Sequence, residues 1–205
     1  MRFLGISFIV ILLFTSCTVA STKDFVLVEN SVEKYKNPYF ADYSKDYVYK
    51  ANFEVYGRTF GGLLIIKKLA TEHHRVVFAT EFGSKMMDME LKNDVFTINF
   101  IADDLNKKIL INTLKKDFKI LLQEEIRVDK AYRTTAATIF QLVDNKRFSY
   151  YYISKKNQQL VRILHASKSK EKIIFTFESK KGKIAENILI DHKNMKLKIK
   201  LKRID

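Results

Sequence analysis

Tryptophan is absent from the 205-residue chain, and cysteine and proline occur once each. A single cysteine excludes an intramolecular disulfide framework and any cysteine-rich zinc or iron–sulfur centre. One proline and six glycines lie far below average usage, which excludes collagen-like and Pro/Gly-rich disordered classes. No apolar run reaches the roughly 20 residues that a membrane-spanning helix needs. Acidic residues are also scarce: 23 Asp+Glu stand against 37 Lys+Arg, for a formal net charge of +14 at pH 7. What the chain has in plenty is apolar surface. Hydrophobic residues make up 47% of it, with 16 Phe and 10 Tyr, enough to build a core and to argue against native disorder over most of the length. The length suits one domain with at most a short annex.

The amino terminus carries the first motif. Met1-Arg2 precedes an apolar run from Phe3 to Phe14, the basic start and apolar middle of a secretory signal. Small residues Thr15 and Ser16 then lead to Cys17, the only cysteine. This segment resembles a bacterial lipoprotein signal, with Phe14 where Leu is usual. An ordinary secretory signal with a chance cysteine is the other reading. The resemblance implies a signal peptide over residues 1–16 and lipidation of Cys17 by a diacylglycerol and an N-linked acyl chain such as palmitate. Each buried methylene adds about 0.8 kcal/mol, so such an anchor holds a membrane without a spanning helix. Thr18 to Lys23 is small and polar, as a tether should be. Residues 29–46, with Pro38, read as an irregular lead-in, so residues 17–46 are lipidated cysteine and tether and residues 47–205 a single domain.

From residue 47 the period is two. Tyr47, Tyr49, Ala51, Phe53 and Val55 alternate with polar or exposed neighbours, which predicts a half-buried strand. Further strands are predicted over residues 60–68, 75–82, 87–91 and 95–101, the last after the turn-like Lys92-Asn93-Asp94. The period then changes. Leu110, Ile111, Leu114, Phe118, Leu121 and Leu122 share one stripe at 3.6 spacing, with lysines opposite. This predicts a helix over 104–124, with Asp103-Asp104 as its N-cap and dipole partners. Strands return over 126–132, 138–143, 147–153, 159–165, 172–178, 184–190 and 195–202, with a hairpin turn at Asp144-Asn145. The fold class is mainly β (α+β): about 10–11 strands at short spacing, hence antiparallel. They curl as an open or half-barrel over one long helix packed inside as a lid.

Catalytic patterns are missing. Adjacent His73 and His74 point to opposite sides of a strand and do not ligate one metal together. They and His165 and His192 read as solvated or turn histidines. No HExxH, G-x-S-x-G, P-loop or G-x-G-x-x-G spacing occurs. The chain is read as a non-enzyme without metal or cofactor. Lysines alternate along strand faces, a solvated arrangement that also blocks edge aggregation; at a membrane surface they would favour anionic headgroups. A nucleic-acid partner is not expected of an exported chain. Tyr150-Tyr151-Tyr152 puts rings on both faces of one strand, as a lipid-sized cavity or a dense core would demand. Phe82 and Met86 flank Gly83 between two strands, where apolar residues mark either a membrane or partner contact or a hairpin end.

Taken in order, a lipidated Cys17, a strand ending at Gly57-Arg58, a strand–loop–strand passage through Phe82-Gly83 and a helix after Asp103-Asp104 resemble the LolA/LolB-like lipoprotein-handling family over about residues 47–205. The Lys- and Phe-rich, Trp-free composition is similar to that of small lipoproteins of Bacteroidota-type bacteria. The absence of Trp and the single clear helix depart from the family pattern. The resemblance implies an incomplete barrel holding acyl chains, in a protein anchored by lipid in the cell envelope at the outer membrane. Its partners would be a lipid or acylated protein and a soluble periplasmic carrier. Leu110, Leu114, Phe118 and Leu121 would form the cavity lid, and Phe82, Gly83 and Met86 the membrane-contact loop. The alternative is a structural lipoprotein with a dry core, docking an envelope partner through its basic face.

Overall fold

The computed structural model describes residues 22–29, 32–168 and 170–204. The elements run β1 (Val26–Val28), β2 (Lys34–Lys36), β3 (Asp46–Val55), β4 (Arg58–Ala70), β5 (His73–Ala79), β6 (Lys85–Lys92), β7 (Val95–Ile101), α1 (Lys108–Leu122), β8 (Glu125–Arg127), β9 (Lys130–Arg133), β10 (Ala137–Asp144), β11 (Arg147–Ser154), β12 (Leu160–Ser167), β13 (Glu171–Glu178), β14 (Asn187–His192) and β15 (Leu197–Arg203). Thirteen strands make one antiparallel sheet in the order β1-β9-β10-β11-β12-β13-β14-β15-β3-β4-β5-β6-β7, and β2 pairs with β8 in a small ribbon. Its end strands, β1 and β7, do not pair with each other, so the sheet is open.

The single helix lies on one face of this sheet. Asp117 on α1 meets His192 of β14 at 2.8 Å, and Lys119 meets Asp94, at the start of β7, at 2.6 Å. In the sheet order β14 and β7 are six steps apart, about 29 Å on a flat sheet at ~4.8 Å per step. A helix is only about 10–12 Å across with its side chains. The sheet therefore curls around α1. Inward residues of the strands, Tyr49, Phe53, Leu64, Ile66, Phe78, Met87, Tyr151, Phe175 and Ile199 among them, join Leu110, Leu114, Phe118, Leu121 and Leu122 of α1 in one core.

The hydrophobic period located the long strands well, and the Asp144-Asn145 turn closes the β10–β11 hairpin with Asp144 opposite Arg147. Four expectations differ. The main sheet has 13 strands rather than about 10–11, because strands of three or four residues are too short to show a period. The stretch 126–132 is split: β8 pairs with β2, whereas β9 pairs with β1 and β10. The helix begins at Lys108, not 104, and its N-cap Lys107 makes no side-chain cap bond. Asp103 and Asp104 do not cap it. Residues 102–107 turn so that Leu105 is buried, and Asp104 binds Arg58 at 2.8 Å instead. Finally, the lead-in is more than a tether, since Tyr39 and Phe40 are core residues.

That lead-in closes one end of the curl. The rim where α1 begins is termed the upper rim. At the lower rim, Asn37 Nδ2 donates to the Leu121 carbonyl at 3.2 Å, satisfying an orphan acceptor of the last helical turn. Tyr39 donates through its hydroxyl to the Leu160 carbonyl at 2.7 Å, and its ring packs on Phe177. His74 Nε2 meets the Phe40 carbonyl at 3.0 Å. Lys68 and the Glu72 amide both reach Glu124 just past the helix. The convex face carries a second, smaller core. Phe25 packs on Tyr132, Tyr150 and Tyr152 over Ile139 and Leu164. The ring run Tyr150-Tyr151-Tyr152 thus serves two cores, with Tyr151 inside and its neighbours outside.

Glycine is demanded at one crowded point of the sheet. A Cβ at Gly62 would stand 2.0 Å from the Ala79 carbonyl oxygen, so no side chain fits where β5 leaves β4.

The helix-to-sheet packing sets the stability of the domain. Leu114→Ala removes a side chain that is 1% exposed, and we expect a loss of about 2–5 kcal/mol in urea unfolding. Ile109→Ala, on the exposed side of the same helix, should change it by less than about 0.5 kcal/mol.

Candidate functional site

Antiparallel alternation puts the β3–β4, β5–β6, β10–β11, β12–β13 and β14–β15 turns at the upper rim with the start of α1. The lower rim is plugged, so the upper rim is the mouth of the concave face.

The β5–β6 tip is the most conspicuous feature of this mouth. Phe82 is 98% exposed. Its turn is well held: Gly83 N donates to Thr80 O at 2.9 Å, Thr80 N to Ser84 O at 2.9 Å, and Ser84 N to Thr80 Oγ1 at 3.1 Å. Gly83 has φ +84, in the left-handed region that favours glycine. Glu81 pairs with Lys50 at 2.9 Å. Below the tip, Asp88 is buried and receives two bonds from Arg75, at 2.9 and 2.8 Å, and one from Lys85 at 2.9 Å. The Arg75 guanidinium, with Lys85 and Asn99, holds this carboxyl well below the usual carboxylate range. The ring of Phe82 is thus presented to solvent by a braced hairpin. Met86 is half-buried and packs against the core, so of the three predicted loop residues only Phe82 and Gly83 are at the tip.

The four predicted lid residues all face the sheet. Leu110, Leu114, Phe118 and Leu121 are buried in the main core. Five surface pockets of about 250–590 Å³ are found among the described residues, and these four side chains line none of the five. Under α1 they pack against inward strand residues such as Tyr49, Phe53 and Leu64. Cys17 lies outside the described residues.

The histidines depart from the solvated reading. His74 is 1% exposed, and burial pushes its imidazole down. His192 is buried with Nε2 on Asp117 Oδ2. Burial raises the Asp117 carboxyl. His165 Nδ1 meets Ser149 Oγ at 2.9 Å. Burial pushes His165 down to about 4, and the Arg147 cation adds to this. A Ser–His contact alone lacks the acid that would orient the imidazole in a triad. Among the described residues, no group of three or more His, Cys, Asp and Glu could hold a metal ion, and no helix is long and apolar enough to cross a membrane. Asp117 had a visible signal in the sequence, an acid on an otherwise apolar helix stripe. Its partner lies 75 residues away, beyond any local pattern.

No family model matches the chain, and neither does any curated protein. Among solved structures it is similar to a LolA superfamily protein from Nitrosomonas europaea, at 7% identity over 81% of this chain and 87% of that one, with a TM-score of 0.49. It is similar to a proposed outer membrane lipoprotein-sorting protein domain from Vibrio parahaemolyticus, at 9% identity over 78% and 83%, with a TM-score of 0.45. It is also similar to a DUF1329 family protein from Desulfovibrio piger, at 7% identity over 78% and 84%, with a TM-score of 0.39.

His74 and His165, whose imidazoles burial pushes down, make the fold acid-sensitive. Unfolded, the His165 imidazole takes its proton near 6.5; folded, near 4. Between these values the unfolded state binds more protons, so stability is retained above the upper one and lost as pH falls toward the lower. Urea titrations should show a decline of about 1–3 kcal/mol between them, with a shallower slope in His165→Asn.

Proposed function

We propose that the chain is a lipid-anchored, non-enzymatic protein of the bacterial cell envelope that receives acyl chains, or proteins bearing them, at its concave face. The observation that carries this reading is Phe82. The ring is 98% exposed, and a hydrogen-bonded turn holds it out at the mouth instead of letting it fold back onto the core. In this reading Phe82 enters an apolar surface, the outer membrane or the acyl chain itself. Cys17 carries the anchor. Helix α1 is the lid, and its apolar stripe is exchanged for an acyl chain of similar hydrophobicity when it moves. Such an exchange keeps the concave face covered throughout, so the apolar area exposed to water changes little.

The burial of Leu110, Leu114, Phe118 and Leu121 in the main core favours a second reading, an interaction lipoprotein whose dry core never opens and whose basic surface docks an envelope partner. The two readings part on one measurement. The chain from residue 18 onward is purified, and native mass spectrometry with lipid extraction is applied to it and to Phe82→Glu. We expect a co-purifying acyl lipid that Phe82→Glu loses, while melting stays within about 0.5 kcal/mol, as for an exposed site. A protein that is empty and also fails to bind an acylated peptide leaves the interaction lipoprotein.

A further inference from the structure

The mouth contains a pocket that acyl binding does not use. Its volume is about 250 Å³, and it lies between the first half of α1 and the upper ends of β11 to β14. Lys116 of α1, Arg147 of β11 and Lys172 of β13 line it, together with His165, Ser167 and His192. Three cations thus converge from three separate elements. Among the described residues none of the three has a carboxylate partner within ion-pair distance, a state they share with other lysines of this basic chain; what sets them apart is that they line one pocket. Asp144 stands opposite Arg147 in the hairpin register, but its Oδ1 accepts from Asn145 Nδ2 at 3.0 Å.

Gathering like charges is unfavourable unless an anion offsets them. Burial is the main cause that opposes protonation of His165 in the pocket wall; Arg147 and Lys116 oppose it too, against a favourable contribution from Asp144. The floor is fixed, because Asp117 holds His192 at 2.8 Å beneath it.

The arrangement also selects the anion. A single carboxylate would answer only one of three cations. A phosphate monoester carries about −1.5 to −2 charge at pH 7 and offers three acceptor oxygens. The guanidinium fork of Arg147 matches two of them, and lysines serve as point charges for the rest. The Ser167 hydroxyl is a neutral donor in the same wall. The pocket falls below the roughly 300–1,000 Å³ of drug-sized sites, so it suits a small charged group rather than a whole ligand. Ile173 and Met195 add an apolar side, against which the rest of an esterified molecule can lie.

We propose that this pocket binds the phosphate group of a phosphomonoester, with Arg147, Lys116 and Lys172 as its ligands. The site needs neither movement of α1 nor an acyl chain, so it stands apart from the lipid-handling reading. The test uses the full chain in neutral detergent and isothermal titration with inorganic phosphate, with glycerol 3-phosphate, and with micelles doped with phosphatidic acid or phosphatidylcholine. We expect saturable binding of phosphomonoester and none of phosphatidylcholine. Arg147→Gln and Lys172→Gln should each weaken it at least tenfold with unchanged melting, and Arg147→Lys should restore part of the loss. Lys130→Gln on β9, outside the pocket, should bind as the parent does. Saturable binding of the soluble esters assigns the site to free phosphomonoesters, and binding of phosphatidic acid micelles alone assigns it to a lipid headgroup; both support the proposal. Absence of saturable binding by every probe overturns it. So does an equal loss in Lys130→Gln, which would reduce the effect to overall charge.

Discussion

The contact between the apolar stripe of α1 and the concave face of the sheet is the interaction on which the rest of the structure depends. A 13-stranded sheet with one apolar face cannot leave that face in water. Closing into a barrel would bury it, but β1 and β7 stay unpaired. Leu110, Leu114, Phe118, Leu121 and Leu122 supply the missing cover. Contacts from α1 reach β14 on one side and the start of β7 on the other, and the buried stripe of α1 supplies the packing between them.

The two rims have opposite characters, and the difference is chemical. The lower rim is tied by hydrogen bonds from Asn37, Tyr39 and His74 and by the contacts of Lys68 and Glu72 with Glu124. Each of these contacts involves a buried or half-buried polar group, which would be costly to leave unpaired. The upper rim is built the other way. It exposes Phe82 and Ile109 and gathers the cations of Arg147, Lys116 and Lys172. The apolar prong and the cationic pocket sit on the same rim but on different strands, and each can be tested separately.

Some of this was legible in the sequence. Alternation at Tyr47, Tyr49, Ala51, Phe53 and Val55 gave β3 its inward face, and the 3.6 spacing of Leu110, Leu114, Phe118 and Leu121 gave α1 its buried stripe. Both signals are local and repeat over several residues, so they survive without knowledge of partners. Signals that are short or non-local did not survive. β1, β2 and β8 span three residues each and exist because partner strands complete their hydrogen bonds. Asp103-Asp104 look like a cap, yet burial of Leu105 outweighs capping, and the chain turns once more before the helix starts. The histidines looked solvated because their burial comes from Phe40, Asp117 and Ser149, all distant in the chain.

The residues by themselves determined the class of the protein: mostly antiparallel strands, one amphipathic helix and a strongly basic surface. These follow from period, composition and order, which are one-dimensional properties. Tertiary structure alone decided which rim is plugged and which is open, that Phe82 stands clear of the domain while Met86 is drawn into it, and that Lys116, Arg147 and Lys172 face one space. The reason is physical. Burial and electrostatic environment are sums over neighbours in space, and in a curled sheet most of those neighbours come from strands far apart in the chain.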